Sequence, residues 1–313
     1  MIIVTEGRSI PLADDIHSRQ MLIIENAEAL MDGETLKPEI KQAFLNTPRH
    51  AFAPRFQDGR PGLWSEVDDT LLSQSLGPIY ADAPYCIYRD QFGEATSTIS
   101  QPSLVLYMLQ LLDLKAGHRV FELGGGSGWN AALMSRLVGT TGEVLSIEIE
   151  SALIENSRRA LDNLGIGNVS LLLGDGSQPP SDVEKFDRGI FTASSWSLPE
   201  VFFDLIRESG LLLFVLKIHE SSDLLLALRK TSDHFVSERQ IHCRFVSLTG
   251  NRDFKPVKGG SKEQTFEDWI RTSRRDLEKV KVSVYRANAA PPNSKDSFML
   301  TRDGNIFVWN NPS

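Results

Sequence analysis

The middle of the chain alternates short apolar runs with longer amphipathic stretches. Short apolar runs between turn signals are typical of strands, and stretches with a period near 3.6 are typical of helices. The predicted strands are Arg119–Leu123, Glu143–Glu148, Val169–Leu173, Asp187–Thr192 and Leu211–Leu216, and the predicted helices are Trp129–Val138, Ala152–Leu164 and Pro199–Glu208. Near-continuous apolar strands that alternate with helices indicate a parallel sheet covered on both faces. The predicted fold class is therefore α/β, with a doubly wound, mostly parallel sheet.

The pattern before this unit is less regular. Three helices are predicted there, at Met21–Met31, at Lys37–Leu45 and from Pro102 to about Leu114. Residues 1–20 show no clear period, and Pro48–Pro54 is loop-like. Residues 56–96 are rich in Gly, Pro, Asp and aromatic residues, which predicts an irregular segment against the core. A long irregular segment in a compact domain serves either as a functional lid or as a packing element.

The pattern changes again after Leu216. The predicted elements are a helix at Asp223–Lys230, an antiparallel pair of strands at Phe235–Arg239 and Ile241–Leu248, a polar linker at Asn251–Gln264, a charged helix at Phe266–Lys279, and short strands at Lys281–Arg286, Ser297–Thr301 and Asn305–Trp309. The last two strands are joined by the turn Arg302-Asp303-Gly304. These patterns predict three regions: 1–96 covers the substrate, 97–250 is a ligand-binding core that ends in an antiparallel hairpin, and 251–313 is a small α+β appendage.

Composition narrows the function classes. The chain has 313 residues, 41% of them hydrophobic, and a net charge of −8, so no broad basic face for a nucleic acid is predicted. The only cysteines are Cys86 and Cys243, which we expect to be free thiols in a reducing cytoplasm. The N-terminus lacks a basic signal-peptide region, and the longest apolar run, Leu211–Leu216, is too short for a membrane span. The six histidines lack metal-ligand spacing, so no metal site is predicted.

The stretch Val120–Asn130 reads as a strand, a tight glycine turn and the start of a helix. Gly124, Gly126 and Gly128 alternate there, so the backbone can turn sharply and approach a ligand closely. A glycine loop between a strand and a helix is the usual nucleotide pocket of a doubly wound sheet.

Acidic residues follow the neighbouring strands. Glu148 ends the second strand, where an acid can accept hydrogen bonds from ribose hydroxyls. Asp175-Gly176 follows the third strand, where Asp175 could bind an adenine amine or simply form a turn. With Glu122 in the first strand, these acids are predicted to face the same crevice as the glycine loop. The chain lacks a Gly-Lys-Ser/Thr phosphate motif, so a nucleoside without phosphates fits better than ATP.

The segment Glu122–Gly128, with Glu148 and Asp175-Gly176, resembles the class I S-adenosylmethionine-dependent methyltransferases, which have a Rossmann-like fold. One helix before the glycine loop, Thr98-Ile99-Ser100-Gln101-Pro102 resembles the protein-L-isoaspartate O-methyltransferase family. Further stretches that match this family are Phe186–Ala193 and Arg244–Thr249, and the similarity covers roughly residues 35–250.

The resemblance implies a role for each matching residue. Ser100 corresponds to the active-site serine; from the sequence chemistry alone, a serine before a helix-starting proline could equally be a helix cap. The implied S-adenosylmethionine-binding residues are Thr98, Ile99, Glu122, Gly124, Gly126, Gly128, Glu148, Asp175, Gly176 and Thr249. The chain departs from the family at Gly125, where threonine is common, and at Trp129-Asn130, where Tyr-Gln is common.

The resemblance implies an O-methyltransferase that esterifies a carboxylate of a peptide or protein. The implied carboxylate is that of an L-isoaspartyl residue, and its methylation would serve the repair of damaged protein. Two alternatives stay open: methylation of a dedicated peptide in natural-product biosynthesis, and a non-catalytic module that binds modified proteins. The poorly matching segment 56–96 and the extension 251–313 motivate the first of these alternatives. An RNA or DNA methyltransferase is disfavoured by the acidic net charge and by the lack of an Asn-Pro-Pro-Tyr-like motif.

Overall fold

The N-terminal part of the chain forms two helices and a short 3₁₀ turn. A computed structural model describes residues 12–31, 33–57, 62–67, 77–219, 222–248, 257–258, 281–287, 289, 297–300 and 305–310. The helices are α1 (Leu12–Ala29) and α2 (Pro38–Leu45), and the 3₁₀ turn spans Arg49–Phe52. The bounds predicted for α2 are confirmed to within a residue, with Pro38 in its first turn.

Helix α1 begins earlier than the sequence pattern predicted. Residues 12–20 lack an apolar period, and few side chains of residues 15–20 reach the core. Ile16 packs partly against it, and one turn later the buried contact is polar, since Gln20 is 4% exposed and donates a hydrogen bond to the Phe44 carbonyl at 3.3 Å. A buried glutamine at a core-facing position interrupts the pattern of apolar residues from which a helix is predicted.

Two small antiparallel hairpins occupy the described parts of the segment predicted to be irregular. Arg55–Phe56 (β1) pairs with Ser65–Glu66 (β2), and Tyr85–Arg89 (β3) pairs with Ala95–Ile99 (β4). The irregular prediction was wrong here because the strands are short and β4, Ala-Thr-Ser-Thr-Ile, has few apolar residues to mark a period. Strand β4 leads directly to Ser100, and helix α3 (Pro102–Leu112) follows as predicted.

The central sheet has a parallel part built as predicted. Its strands are β5 (Arg119–Leu123), β6 (Glu143–Glu148), β7 (Val169–Leu173), β8 (Phe186–Phe191) and β9 (Ile206–His219), and the helices between them are α4 (Trp129–Val138), α5 (Ser151–Asn163) and α6 (Phe202–Leu205). The spatial order is β9-β8-β5-β6-β7, with every neighbouring pair parallel. The chain therefore reverses its direction of travel across the sheet at β5, which creates a crevice beyond the carboxyl ends of the strands. The α/β fold class is confirmed.

The part of the sheet after β8 differs from the prediction. Helix α6 spans only Phe202–Leu205, so the helix predicted at Pro199–Glu208 is confirmed in its middle and wrong at both ends. The predicted helix at Asp223–Lys230 is wrong as well, because Ser222–Thr231 is strand β10. The residues from Leu224 to Leu228 are all buried, and a fully buried apolar run has no period to separate a helix from a strand.

Strand β10 pairs antiparallel with β9 and with β11 (His234–Cys243). The two strands predicted at Phe235–Arg239 and Ile241–Leu248 are therefore one strand followed by an extended segment, in which Ser247 pairs with Ser194 through an isolated bridge.

The C-terminal strands extend the same sheet. They are β12 (Val257–Lys258), β13 (Lys281–Tyr285), β14 (Ser297–Leu300) and β15 (Ile306–Asn310), and β13 hydrogen-bonds to β11. The three short strands predicted over residues 281–309 are confirmed, whereas the predicted helix at 266–279 and the turn at 302–304 lie outside the described residues. No helix in the described ranges is both long and apolar enough to span a membrane.

Candidate active site

One cleft opens at the carboxyl ends of the parallel strands. The predicted site residues that line it are Thr98, Ile99, Ser100, Glu122, Gly124, Gly126, Glu148, Asp175 and Gly176. They come from four separate places in the sequence: the end of β4, the end of β5 with the loop after it, the end of β6, and the turn after β7. Thr249 lies outside the described residues.

Backbone contacts between neighbouring strands hold the glycine loop. The amide of Gly124 donates to the Ile147 carbonyl on β6 at 2.9 Å, and the Thr192 hydroxyl donates to the Leu123 carbonyl at 2.9 Å. The Gly126 amide donates to Glu148 Oε2 at 2.7 Å. The loop is therefore fixed from both sides, by β6 and by the end of β8.

Gly128 is required by helix packing, and the structure places it behind the lining of the cleft. It begins α4 with φ at +79°, and a Cβ there would lie 2.8 Å from the Ser157 Cβ on α5. The predicted cofactor contact of Gly128 stays a prediction. Gly176 differs, since it lines the cleft and a Cβ on it would lie 2.7 Å from Leu123 Cγ.

Glu148 is the most strongly held acid of the cleft. Its side chain is 7% exposed, Oε1 accepts from the amides of Ile149 and Glu150 at 2.8 and 2.9 Å, and Oε2 accepts from Gly126. Burial raises the pKa of the Glu148 carboxyl, and the three amides oppose that rise. A carboxylate oxygen can accept two hydrogen bonds, so Oε2 retains capacity for a hydroxyl donor in the cleft.

Glu122 joins three elements beneath the cleft. It is fully buried, and its carboxylate accepts from Asn130 Nδ2 on α4 at 2.7 Å and from Ser146 Oγ on β6 at 2.6 Å. Burial raises the pKa of Glu122 to about 7, and the nearby Glu148 charge adds to the rise. Both carboxylate oxygens accept hydrogen bonds from other residues of the protein, so the structure gives Glu122 a role in positioning α4 and β6. Its predicted cofactor contact stays a prediction.

The raised pKa of Glu122 predicts a pH-dependent stability. The unfolded carboxyl has a pKa near 4.5, so between about pH 4.5 and 7 the folded state binds more protons and the stability falls as pH rises. Glu122→Gln removes this group and keeps the shape. We expect urea unfolding to show that the free energy of unfolding of the wild type falls between pH 5 and pH 8 by roughly 2–3 kcal/mol more than that of the variant. Parallel profiles for the two proteins would contradict this account.

Asp175 forms a turn, which is the alternative to an adenine contact that its sequence context predicts. Its Oδ1 accepts from the amide and the hydroxyl of Ser177 at 2.9 and 2.7 Å. The same residue lines the cleft at the end of β7, beside Gly176. The turn therefore presents the carboxylate at the edge where an adenine amine was predicted.

Ser100 lies between β4 and α3 and lines the cleft. The cap position of α3 belongs to Gln101, and its side chain makes no capping hydrogen bond, so the helix-cap alternative for Ser100 is wrong. The backbone of Ser100 is held by a residue that sequence reasoning missed: Arg49 Nη2 donates to the Ser100 carbonyl at 2.8 Å and to the Ile99 carbonyl at 3.2 Å.

Arg49 is a buried guanidinium whose hydrogen-bond acceptors among the described residues are all backbone carbonyls. It is 1% exposed, and its further acceptors are the carbonyls of Ile79 at 2.7 Å, Ala81 at 3.2 Å and Ala83 at 2.8 Å. Burial lowers the pKa of Arg49 to about 10. The only sequence signal was an arginine within the loop-like segment Pro48–Pro54. Arg49 thus connects residues 79–83, which precede β3, to the backbone at Ser100 through hydrogen bonds.

Comparisons with known proteins agree with this architecture. The family model of protein-L-isoaspartate(D-aspartate) O-methyltransferase matches residues 67–253. A protein-L-isoaspartate O-methyltransferase of Methanococcus maripaludis is 32% identical over 232 residues, which cover 74% of this chain and 96% of the relative. Another of Thermotoga maritima is 32% identical over 213 residues, 68% of this chain but only 61% of that relative.

Two solved structures share the fold. A protein-L-isoaspartate O-methyltransferase structure has a TM-score of 0.64 at 24% identity and covers 93% of this chain and 88% of that chain. A candidate enzyme of the same kind from Plasmodium falciparum, in complex with S-adenosyl-L-homocysteine, has a TM-score of 0.55 at 20% identity and covers 74% of this chain and 99% of that one. The first match spans nearly the whole chain.

Proposed function

Because the chain belongs to the protein-L-isoaspartate(D-aspartate) O-methyltransferase family, a family that uses S-adenosylmethionine, we propose that it esterifies a peptide carboxylate, that of an L-isoaspartyl residue in damaged protein. The observation that carries the proposal is one juxtaposition. Strand β4 brings Thr98-Ile99-Ser100 into the same cleft as the glycine loop and the acids Glu148 and Asp175.

The residues of the cleft fit the cofactor. Glu148 would hold the ribose hydroxyls with its remaining acceptor capacity, and Asp175 and Gly176 would lie at the adenine. Gly124 and Gly126 would run beneath the amino-acid part, where side chains are absent. S-adenosylmethionine supplies a methyl group on a positively charged sulfur, which is a good leaving group.

The protein needs to supply orientation more than proton transfer. A carboxylate with a pKa near 4 is already ionised at neutral pH, so no general base is required. The Ser100 hydroxyl can donate one hydrogen bond that orients the carboxylate without neutralising it. Holding an oxygen in line with the methyl carbon at about 3 Å is the main contribution expected of such a site. Arg49 fixes the backbone that carries this hydroxyl.

We also propose a cytoplasmic location and an organisation of the chain into three regions. Cys86 and Cys243 are both free thiols, and burial raises the pKa of each, which suits a reducing cytoplasm. We propose that residues 97–250 form the S-adenosylmethionine-binding core, that residues 1–96 cover the substrate, and that residues 251–313 are an appendage, whose described strands continue the core sheet.

Ser100→Ala tests the proposed role of the hydroxyl. We expect kcat for ester formation on an isoaspartyl peptide to fall about 10- to 100-fold, the value of one hydrogen bond to a charged group. The affinity for S-adenosylhomocysteine, measured by calorimetry, should change less than about twofold. Ser103→Ala is the matched control, because Ser103 is a buried serine three residues on that does not line the cleft. Equal losses of turnover and cofactor affinity would indicate a structural serine instead.

A further inference from the structure

The charge of the cleft poses a problem for the proposed substrate. Four acids line it, Glu122, Glu148, Glu150 and Asp175, and the lining within the described ranges contains no Lys, Arg or His. A carboxylate substrate would therefore enter a region of negative potential. The positively charged sulfur of the cofactor would offset part of this repulsion, and a hydrogen-bond donor of the protein on the substrate side of the cleft would offset more of it.

A buried lysine lies directly behind the lining. Lys217, near the end of β9, is 6% exposed, and its Nζ donates to Ser247 Oγ at 2.8 Å. Its ammonium also lies 5.8 Å from the centre of the Trp196 ring. Ser247 itself lines the cleft and is partly exposed, whereas Lys217 does not reach the lining. The lysine can therefore act on the cleft only through Ser247 and through its field.

The segment that carries Ser247 is fixed by buried contacts. The Ser194 amide donates to the Val246 carbonyl, and the Leu248 amide donates to the Ser194 carbonyl, both at 2.8 Å. Asp223, which stands opposite Lys217 on β10, accepts from the Phe245 amide at 2.7 Å. Asp223 is buried, so Lys217 and Asp223 form a fixed polar support under this side of the cleft.

The lysine determines which way the Ser247 hydroxyl can bond. An ammonium has three donors and no acceptor, so Ser247 Oγ must be the acceptor in this contact. The hydroxyl proton of Ser247 is then left to donate elsewhere, and Ser247 is a residue of the cleft lining. A hydroxyl backed by a buried positive charge is a good donor to an anion.

The position of Ser247 and Lys217 across the sheet indicates which anion the Ser247 hydroxyl would bind. In the order β9-β8-β5-β6-β7, Glu148 and Asp175 lie on the β6 and β7 side of the glycine loop. Ser194, which pairs with Ser247, follows β8, and Lys217 lies in β9, on the opposite side. The nucleoside side and the Ser247 side are thus separated by the glycine loop, with the reacting group expected between them.

We propose that Ser247, held as a hydrogen-bond donor by Lys217, forms a subsite for the carboxylate of the methyl acceptor. This inference rests on the proposed function, since it names the group that binds the substrate anion. Ser247 would contact the substrate, and Lys217 is a positioning residue that acts through it. The cofactor also carries a carboxylate, on its amino-acid end, so the experiment has to separate these two sources.

The test measures binding rather than turnover. Calorimetry on the protein loaded with S-adenosylhomocysteine uses a capped peptide whose isoaspartyl carboxylate is its only carboxylate, and the methyl ester of the same peptide. We expect the wild type to prefer the carboxylate peptide, and Ser247→Ala to weaken its binding about tenfold while leaving the ester unaffected. Ser247→Thr, which keeps the hydroxyl, should restore most of the affinity. Lys217→Met should add little in the Ser247→Ala background, because both act through one contact.

Two results would overturn the subsite. One is equal binding of the carboxylate peptide and the ester to the wild type. The other is a loss of S-adenosylhomocysteine affinity in Ser247→Ala with unchanged peptide binding, which would assign Ser247 to the carboxylate of the cofactor. Lys217→Met leaves Asp223 without its nearby cation and can fail to fold, but the Ser247 variants decide the question without it. Ser247-dependent peptide binding without ester formation would overturn the proposed function and leave the anion subsite standing.

Discussion

Glu148→Gln is expected to lower the affinity for S-adenosylhomocysteine about 100-fold, or roughly 3 kcal/mol. The carboxylate accepts from three backbone amides with its two oxygens. A glutamine has one oxygen and one NH₂ group, so its NH₂ must face either the Gly126 amide or the amides of Ile149 and Glu150. Two donors then oppose each other in a buried place, which costs about 1–3 kcal/mol, and the charged acceptor for the ribose is lost as well.

Calorimetric titration with S-adenosylhomocysteine measures this effect. The matched control is Glu155→Gln, which removes the same charge from an exposed position of α5 and should leave the affinity within about twofold. Similar losses in both variants would show that net charge, and not the Glu148 contacts, determines cofactor affinity. An unchanged affinity in Glu148→Gln would remove Glu148 from the cofactor site.

Arg49→Met is expected to lower the free energy of unfolding by about 3 kcal/mol or more, and also to lower kcat. The change removes the guanidinium donor from five backbone carbonyls, those of Ile79 and Ile99 in buried contacts and the other three in partly buried ones, and a buried carbonyl left unsatisfied is costly. Two of those carbonyls belong to Ile99 and Ser100. The variant therefore loses the contacts that hold the backbone of Ser100, in addition to the loss of stability.

Urea unfolding and turnover on an isoaspartyl peptide measure the two effects separately. Arg49→Lys keeps the charge but cannot reach the same set of carbonyls, so its losses should be intermediate. Arg136→Met is the matched control, because Arg136 is exposed and donates to the Thr47 hydroxyl at 2.9 Å; we expect a loss below about 1 kcal/mol. A folded Arg49→Met protein with reduced stability but full kcat would show that Arg49 only stabilises the fold.

The parallel half of the fold could be predicted from the sequence because its strands have sharp ends. The bounds of β5, β6 and β7 agree with the prediction, since each is a short apolar run followed by glycine or an acid. The glycine loop and the acids after β6 and β7 could be predicted for the same reason: parallel strands bring their carboxyl ends to one edge.

The antiparallel half was predicted less well, chiefly because strand β10 is buried on both faces. In β10 the run from Leu224 to Leu228 is consistent with a helix or a strand, and only its pairing with β9 and β11 decides between them. Arg49 and Lys217 escaped prediction for a related reason. Each acts through partners far away in the sequence, so neither leaves a local motif beside the residue it supports.

The most direct test of the central claim is a paired assay with labelled S-adenosylmethionine. Two peptides of the same sequence carry either aspartate or isoaspartate at one position, and base-labile methyl ester is measured on each. We predict ester on the isoaspartyl peptide and none above background on the aspartyl peptide. No ester on either peptide, from protein that binds S-adenosylhomocysteine, would contradict the account, as would equal ester on both.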